Sequence, residues 1–140
     1  MSRIFWDTNL YIYLFEDYGE LSALTATLRT RMLHRGDQLL TSTFTLGEIL
    51  VKPAEQGDTE LCRRYEHTIA ATSLLVPFDA DAARRYAVVR CDRTLRAPDA
   101  IQLSCAAAAR VDLFITNDGR LHGKQVAGIH FIVPLTGAPI

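Results

Sequence analysis

Five short apolar runs set the frame of this chain: Ile4-Phe5-Trp6, Gln38-Leu39-Leu40, Leu74-Leu75-Val76, Leu113-Phe114-Ile115 and Phe131-Ile132-Val133. Several are continuously apolar, without the alternation of a half-exposed strand. Strands buried on both faces read this way, and such strands belong to parallel sheets. The stretches between them have helical spacing. Leu21, Leu24, Leu28 and Met32 form one stripe between Asp17 and His34, with Gly36 as the stop. Phe44 to Glu55 carries Leu46, Ile49 and Leu50 on one side, and Pro53 is expected to interrupt its end. Asp58 is expected to cap a helix to about Thr72, and Asp79 or Asp81 one reaching about Leu95. Pro98 opens a last helix, rich in alanine, that ends near Arg110. Strands alternating with helices predict an α/β fold, a three-layer α/β/α sandwich around a parallel sheet of about five strands.

The 140 residues suit one domain, 1–140, with a core that needs no disulfide or structural metal. No segment approaches the roughly 20 apolar residues of a membrane span. The first residues are too briefly apolar for a signal peptide, so a cytoplasmic location is expected. Cys62, Cys91 and Cys105 lack CxxC spacing, and His34, His67, His122 and His130 lack ligand spacing, which argues against a zinc site. The net charge of −1 is not that of a strongly basic nucleic-acid binder. Arginines are nonetheless crowded locally, at Arg84, Arg85, Arg90, Arg93 and Arg96 and again at Arg29, Arg31 and Arg35. Solvated helix faces explain these equally well.

In open parallel sheets ligands bind beyond the carboxyl ends of the strands. Asp7 follows the first strand and Asp118 the fourth; Glu48 lies on the helix after the second; Asp99 opens the helix that leads into the fourth. Each has an ordinary alternative. Asp7 can be a helix cap. Glu48 can close a capping box with Thr45. Asp99 suits the positive end of any helix, and Asp118 in Asn117-Asp118-Gly119 suits a turn. The functional case rests on their joint placement. Clustered carboxylates repel one another, and a hard divalent cation relieves the repulsion. Such an ion also reverses the sign of the site, so that an acidic pocket can receive a polyanion. The same crowding predicts that removing one charge, at Asp99 for instance, stabilises the metal-free protein. Gly47, beside Glu48, suggests that something approaches the backbone there.

Asp-Thr-Asn after the first strand, Thr-Leu-Gly-Glu-Ile-Leu, Arg-Ala-Pro-Asp-Ala-Ile-Gln-Leu and Phe-Ile-Thr-Asn-Asp-Gly-Arg-Leu occur in that order. Together they resemble PIN-domain proteins, in particular the VapC-like toxins of type II toxin–antitoxin systems, over Arg3 to about Pro134. The resemblance implies an Mg²⁺- or Mn²⁺-dependent endoribonuclease that leaves 5′-phosphate and 3′-hydroxyl ends. By position it implies that Asp7, Glu48, Asp99 and Asp118 are the catalytic, metal-binding acids, with Asp7 and Asp99 nearest the ion. Asn9, Thr116 and Asn117 match the family's polar companions of those acids. Arg84, Arg85, Arg93 and Arg96 are candidates for positioning RNA phosphates. The resemblance also implies a cognate antitoxin, whose basic segment blocks the acidic groove, and a homodimer. Tyr11, Tyr13, Leu14 and Phe15 are an apolar and aromatic surplus suited to a core or to an interface.

Two other readings compete. A catalytically inactive module of the same fold would keep the groove for antitoxin or RNA without turnover; the complete set of acids argues against it. A phosphatase using an aspartyl nucleophile wants Asp-x-Asp after the first strand, and here position 9 is Asn.

Overall fold

The computed structural model describes residues 1–140. Five parallel strands form one sheet: β1 (Arg3–Trp6), β2 (Gln38–Ser42), β3 (Leu74–Val76), β4 (Val111–Ile115) and β5 (Ile129–Val133). Their spatial order is β3-β2-β1-β4-β5. Six helices connect them: α1 (Thr8–Phe15), α2 (Glu20–Arg35), α3 (Thr43–Glu55), α4 (Thr59–Thr72), α5 (Ala80–Val89) and α6 (Ala97–Ala108).

The three inner strands explain the continuous apolar runs, because consecutive residues feed different cores. Ile4 and Trp6 of β1 point into a cluster with Leu10, Leu28, Met32, Ile49 and Ile69, on the face covered by α1 to α4. Phe5 between them joins the opposite cluster with Ala82, Val89, Leu103 and Ala106 from α5 and α6. Phe5 and Phe114 stack there, centroids 5.1 Å apart, across paired strands. The sheet is thus the middle of three layers, as expected.

Helix boundaries follow local chemistry. Ser42, Asp58 and Asp79 cap α3, α4 and α5 with side-chain oxygens. Gly36 closes α2 at φ +74°, a left-handed conformation that glycine adopts without strain. Two expectations shift. Pro53 does not stop α3, which continues to Glu55. Helix α5 ends at Val89, short of Leu95, because Asp92 and Thr94 turn the chain and the Arg90 side chain takes the Leu95 carbonyl.

Beyond Trp6 the chain leaves the sheet toward β2 on one side, and β4 pairs on the other side of β1. The crevice between the carboxyl ends of β1 and β4 is therefore the topological switch point of the sheet, the place where such folds bind ligands.

Candidate functional site at the switch point

A shallow crevice opens at this point, lined by Asp7, Thr8, Asn9, Glu48, Asp99 and Asp118 together with Ile12, Arg96, Pro98, Gln102 and Arg120. All four acids singled out from the sequence line it. They come from four elements: the end of β1, the second turn of α3, the first turn of α6 and the loop after β4.

Asp7 is held most tightly. Its Oδ1 accepts the Thr8 backbone N–H at 2.9 Å, which makes Asp7 the cap of α1 as well as a wall of the crevice. Its Oδ2 accepts the hydroxyl of fully buried Thr116 at 2.7 Å. Its backbone N–H bonds Ile115 O across the sheet. Desolvation pushes its carboxyl up to about 6, against the lowering by the Thr116 and Thr8 bonds; the charges of Glu48 and Asp99 push it further up.

Glu48 does not reach back to Thr45. Ser42 is the cap of α3, and Glu48 Oε1 accepts the Thr8 hydroxyl at 2.6 Å. The capping-box reading is thereby replaced by a link between α3 and α1. A Cβ added at Gly47 would meet nothing within 4 Å, so no close approach explains that glycine.

Asp118 caps the short turn Gly119–Leu121 and pairs with Arg120, whose Nε donates to Oδ1 at 2.9 Å and whose Nη2 meets Oδ2. This guanidinium holds the Asp118 carboxyl below its ordinary range. Arg120 Nη2 also stands 3.8 Å from Asp99 Oδ2, and Arg96 Nε stands 3.7 Å from the same oxygen. The sequence reading spread charge repulsion over all the clustered acids and took Asp99 as the example of a charge to remove. The structure surrounds Asp99 with two arginines and concentrates the repulsion on Asp7.

The polar companions are likewise in place. Asn9 donates to the Thr116 hydroxyl and accepts from the Asn117 backbone, both at 3.4 Å. Asn117 donates to the Tyr13 hydroxyl at 3.2 Å. Two residues were missed. Gln102, only 2% exposed, has its two Nε2 hydrogens within reach of Thr45 (2.7 Å), Thr8 (3.0 Å) and Asp7 (3.3 Å), and its Oε1 accepts from Ser42. It ties three of the acid-bearing elements together. Its signal was its spacing: i+3 from Asp99 on one helix face, and polar amid an apolar helix. Arg120 was missed because its neighbour in sequence, Asp118, drew the reading toward a turn.

Of the arginines named as phosphate contacts, only Arg96 lines the crevice. Arg84 and Arg85 line a different groove beside Val88 and Val126, and Arg85 pairs with Asp81. Arg93 is exposed in the turn after α5. Crowding in sequence did not become crowding in space, because α5 lies against α6 away from the crevice. An apolar groove between α1, α3 and α4 adjoins the crevice and shares Ile12 and Glu48 with it. Phe15 and Tyr65 stack in its wall at 4.5 Å. The aromatic surplus thus divides: Tyr11 is core, Phe15 lines this groove, and Leu14 is exposed.

The donor set suits a hard divalent cation: carboxylate and hydroxyl oxygens, with no thiol or imidazole lining the crevice. No three acidic, histidine or cysteine side chains stand close enough to enclose an ion. An ion here would lean on one or two carboxylates and keep water in its shell, which is the habit of Mg²⁺. The desolvated Asp7 carboxylate, facing two like charges, is the group that gains most from it. No helix is long and apolar enough to cross a membrane.

Comparison with known proteins agrees with this fold. The chain resembles the VapBC2 structure from Rickettsia felis bound to a promoter DNA fragment, at 13% identity and a TM-score of 0.75, covering 94% of this chain and 98% of that one. FitAcB from Neisseria gonorrhoeae matches at 21% identity and TM-score 0.70, over 96% and 99% of the two chains. The DNA-bound VapBC of Salmonella typhimurium matches at 17% and 0.69, with the same coverage. At these identities the likeness establishes the fold. No curated protein matches by sequence. Residues 4–126 match the PIN domain as a family. With that match spanning most of its length, the chain belongs to the PIN-domain family.

Proposed function

We propose that this protein is a divalent-metal-dependent endoribonuclease and the toxin of a toxin–antitoxin pair. One observation carries the reading: four carboxylates from separate elements line one crevice, and among them half-buried Asp7 faces Glu48 and Asp99 at the cost of a raised carboxyl. Such an arrangement burdens a binding module and serves a metal site. Family membership supports nuclease chemistry, and the similar structures named above include a VapBC pair and its relatives.

Asp7 and Asp99 would hold the ion, with Glu48 and Asp118 binding directly or through water. A bound Mg²⁺ or Mn²⁺ would supply Lewis-acid activation of water and neutralise charge on the phosphoryl group. The remaining work belongs to the chain. Thr116 and Gln102 fix the two Asp7 oxygens and so hold its carboxylate in the wall of the crevice. Thr8 anchors Glu48 through Oε1 and leaves Oε2 free to take a proton from the attacking water. Arg96, at the mouth, is placed to meet a phosphate; such a contact positions RNA without reading its sequence.

By the same reading a cognate antitoxin covers the crevice with a basic segment, and the adjoining apolar groove gives that partner a hydrophobic seat. The protein acts as a homodimer in the cytoplasm. The test is incubation of antitoxin-free protein with single-stranded RNA and Mg²⁺, with and without EDTA, alongside Asp7→Asn. EDTA-sensitive cleavage is expected, lower in the variant by roughly a thousandfold. Equal, EDTA-insensitive signals from both proteins would instead mark a non-catalytic binding module.

A further inference from the structure

Arg120 is the one cation bound directly to two of the crevice acids, and nothing in the proposed function uses it. Its guanidinium grips both oxygens of Asp118 and approaches Asp99 Oδ2 at 3.8 Å. Its root is fixed and its arm is free. The backbone N–H of Arg120 donates to Asp118 Oδ1 at 3.1 Å, and the next residue, Leu121, is buried in the core. The side chain itself is 53% exposed and makes no other hydrogen bond. A guanidinium has five N–H donors in a planar fork. Two face Asp118, and the other three make no hydrogen bond.

A guanidinium and a divalent ion, both cationic, compete for the same carboxylate oxygens. We propose that Arg120 is an exchange arm: it covers Asp118 and Asp99 in the metal-free protein, and it turns to a phosphodiester of the substrate once a divalent ion takes those oxygens. The exchange balances charge at each stage. Before metal arrives, the arm and Arg96 together offset the two carboxylates. Afterwards the ion offsets them, repels the guanidinium, and leaves it as a fork matched to phosphate oxygens. This inference rests on the metal-dependent reading above.

The test uses wild type, Arg120→Ala and Arg120→Lys; all should fold, because the side chain is exposed. Calorimetric titration with Mn²⁺ alone reports the first half. Arg120→Ala should bind Mn²⁺ about tenfold more tightly than wild type, having lost its competitor. Binding of a short single-stranded RNA in Ca²⁺, verified uncut on a gel, reports the second half. There Arg120→Ala should bind several-fold more weakly, with a log–log salt slope smaller by about 0.7, one phosphate contact fewer. Arg120→Lys should fall between, since an ammonium lacks the fork. Mn²⁺ affinity unchanged or weaker in Arg120→Ala overturns the inference, as does unchanged RNA affinity and salt slope. Wild type that binds no Mn²⁺ overturns the metal reading itself, and this inference with it.

Discussion

Asp7 and Asp118 follow the two adjacent inner strands, and both cap the turn of helix that comes next. Their surroundings are opposed. Asp7 lies in the protein with hydroxyl and amide donors, facing two other carboxylates, and its carboxyl rises to about 6. Asp118 lies toward solvent in the grip of an arginine, and its carboxyl falls. Residue type and capping role are the same. Desolvation and the sign of the neighbour decide which acid strains the fold and which supports it. The strained one is the acid whose charge a cation would relieve, and the supported one already has its cation.

The sharpest way to break this comparison is to neutralise Asp7. In metal-free protein, Asp7→Asn should raise stability at pH 7.5 by up to about 3 kcal/mol, an upper bound because the carboxyl is partly open to the crevice. The sign follows from linkage. The folded value near 6 exceeds the unfolded value of 3.8, so the folded state binds the proton more tightly. Wild-type stability should then fall as pH rises from about 4 to 6 and stay low above that, while the variant lacks this step. Urea melts in EDTA across that range are the measurement; parallel curves would remove the strain from Asp7. Mg²⁺ should raise the melting temperature of wild type and leave Asp7→Asn unmoved.

Gln102→Leu attacks the same side through its support. It leaves the hydroxyls of Ser42, Thr8 and Thr45 short of a partner and should cost roughly 2 kcal/mol in the same melts. Gln102→Glu should fare worse above neutral pH, because it adds a third carboxylate beside Asp7, after Glu48 and Asp99. Asp118→Asn should have the smallest effect, under about 1 kcal/mol and of opposite sign to Asp7→Asn, as for an exposed ion pair. The Asp118 contribution is present at neutral pH and lost as acid protonates the carboxyl. A stabilising Asp118→Asn would show that the two acids are equivalent after all.

The sheet was readable because inner parallel strands have no polar face to disguise. Ile4-Phe5-Trp6 must be apolar throughout to serve two cores. The acids were readable because strand ends fix where they emerge. The pairing among them was not. Whether Glu48 turns to Thr45 or Thr8 depends on where α1 packs, 40 residues away in sequence. Gln102 meets Asp7 across 95 residues, and no local pattern encodes that contact. Arg84 and Arg85 misled for a related reason. Their helix was foreseen, though six residues too long, but its face toward the crevice could not be known before its packing on α6.

The order of the strands has a consequence for synthesis. Strand β4 lies between β1 and β5, yet it is made more than a hundred residues after β1. A nascent chain ending before Val111 leaves β1 as a bare edge, and neither Thr116 nor Asp118 exists to complete the crevice around Asp7. Incomplete products and amino-terminal fragments therefore lack the finished crevice. The order of the strands thus withholds the site until β4 and the loop after it have been made.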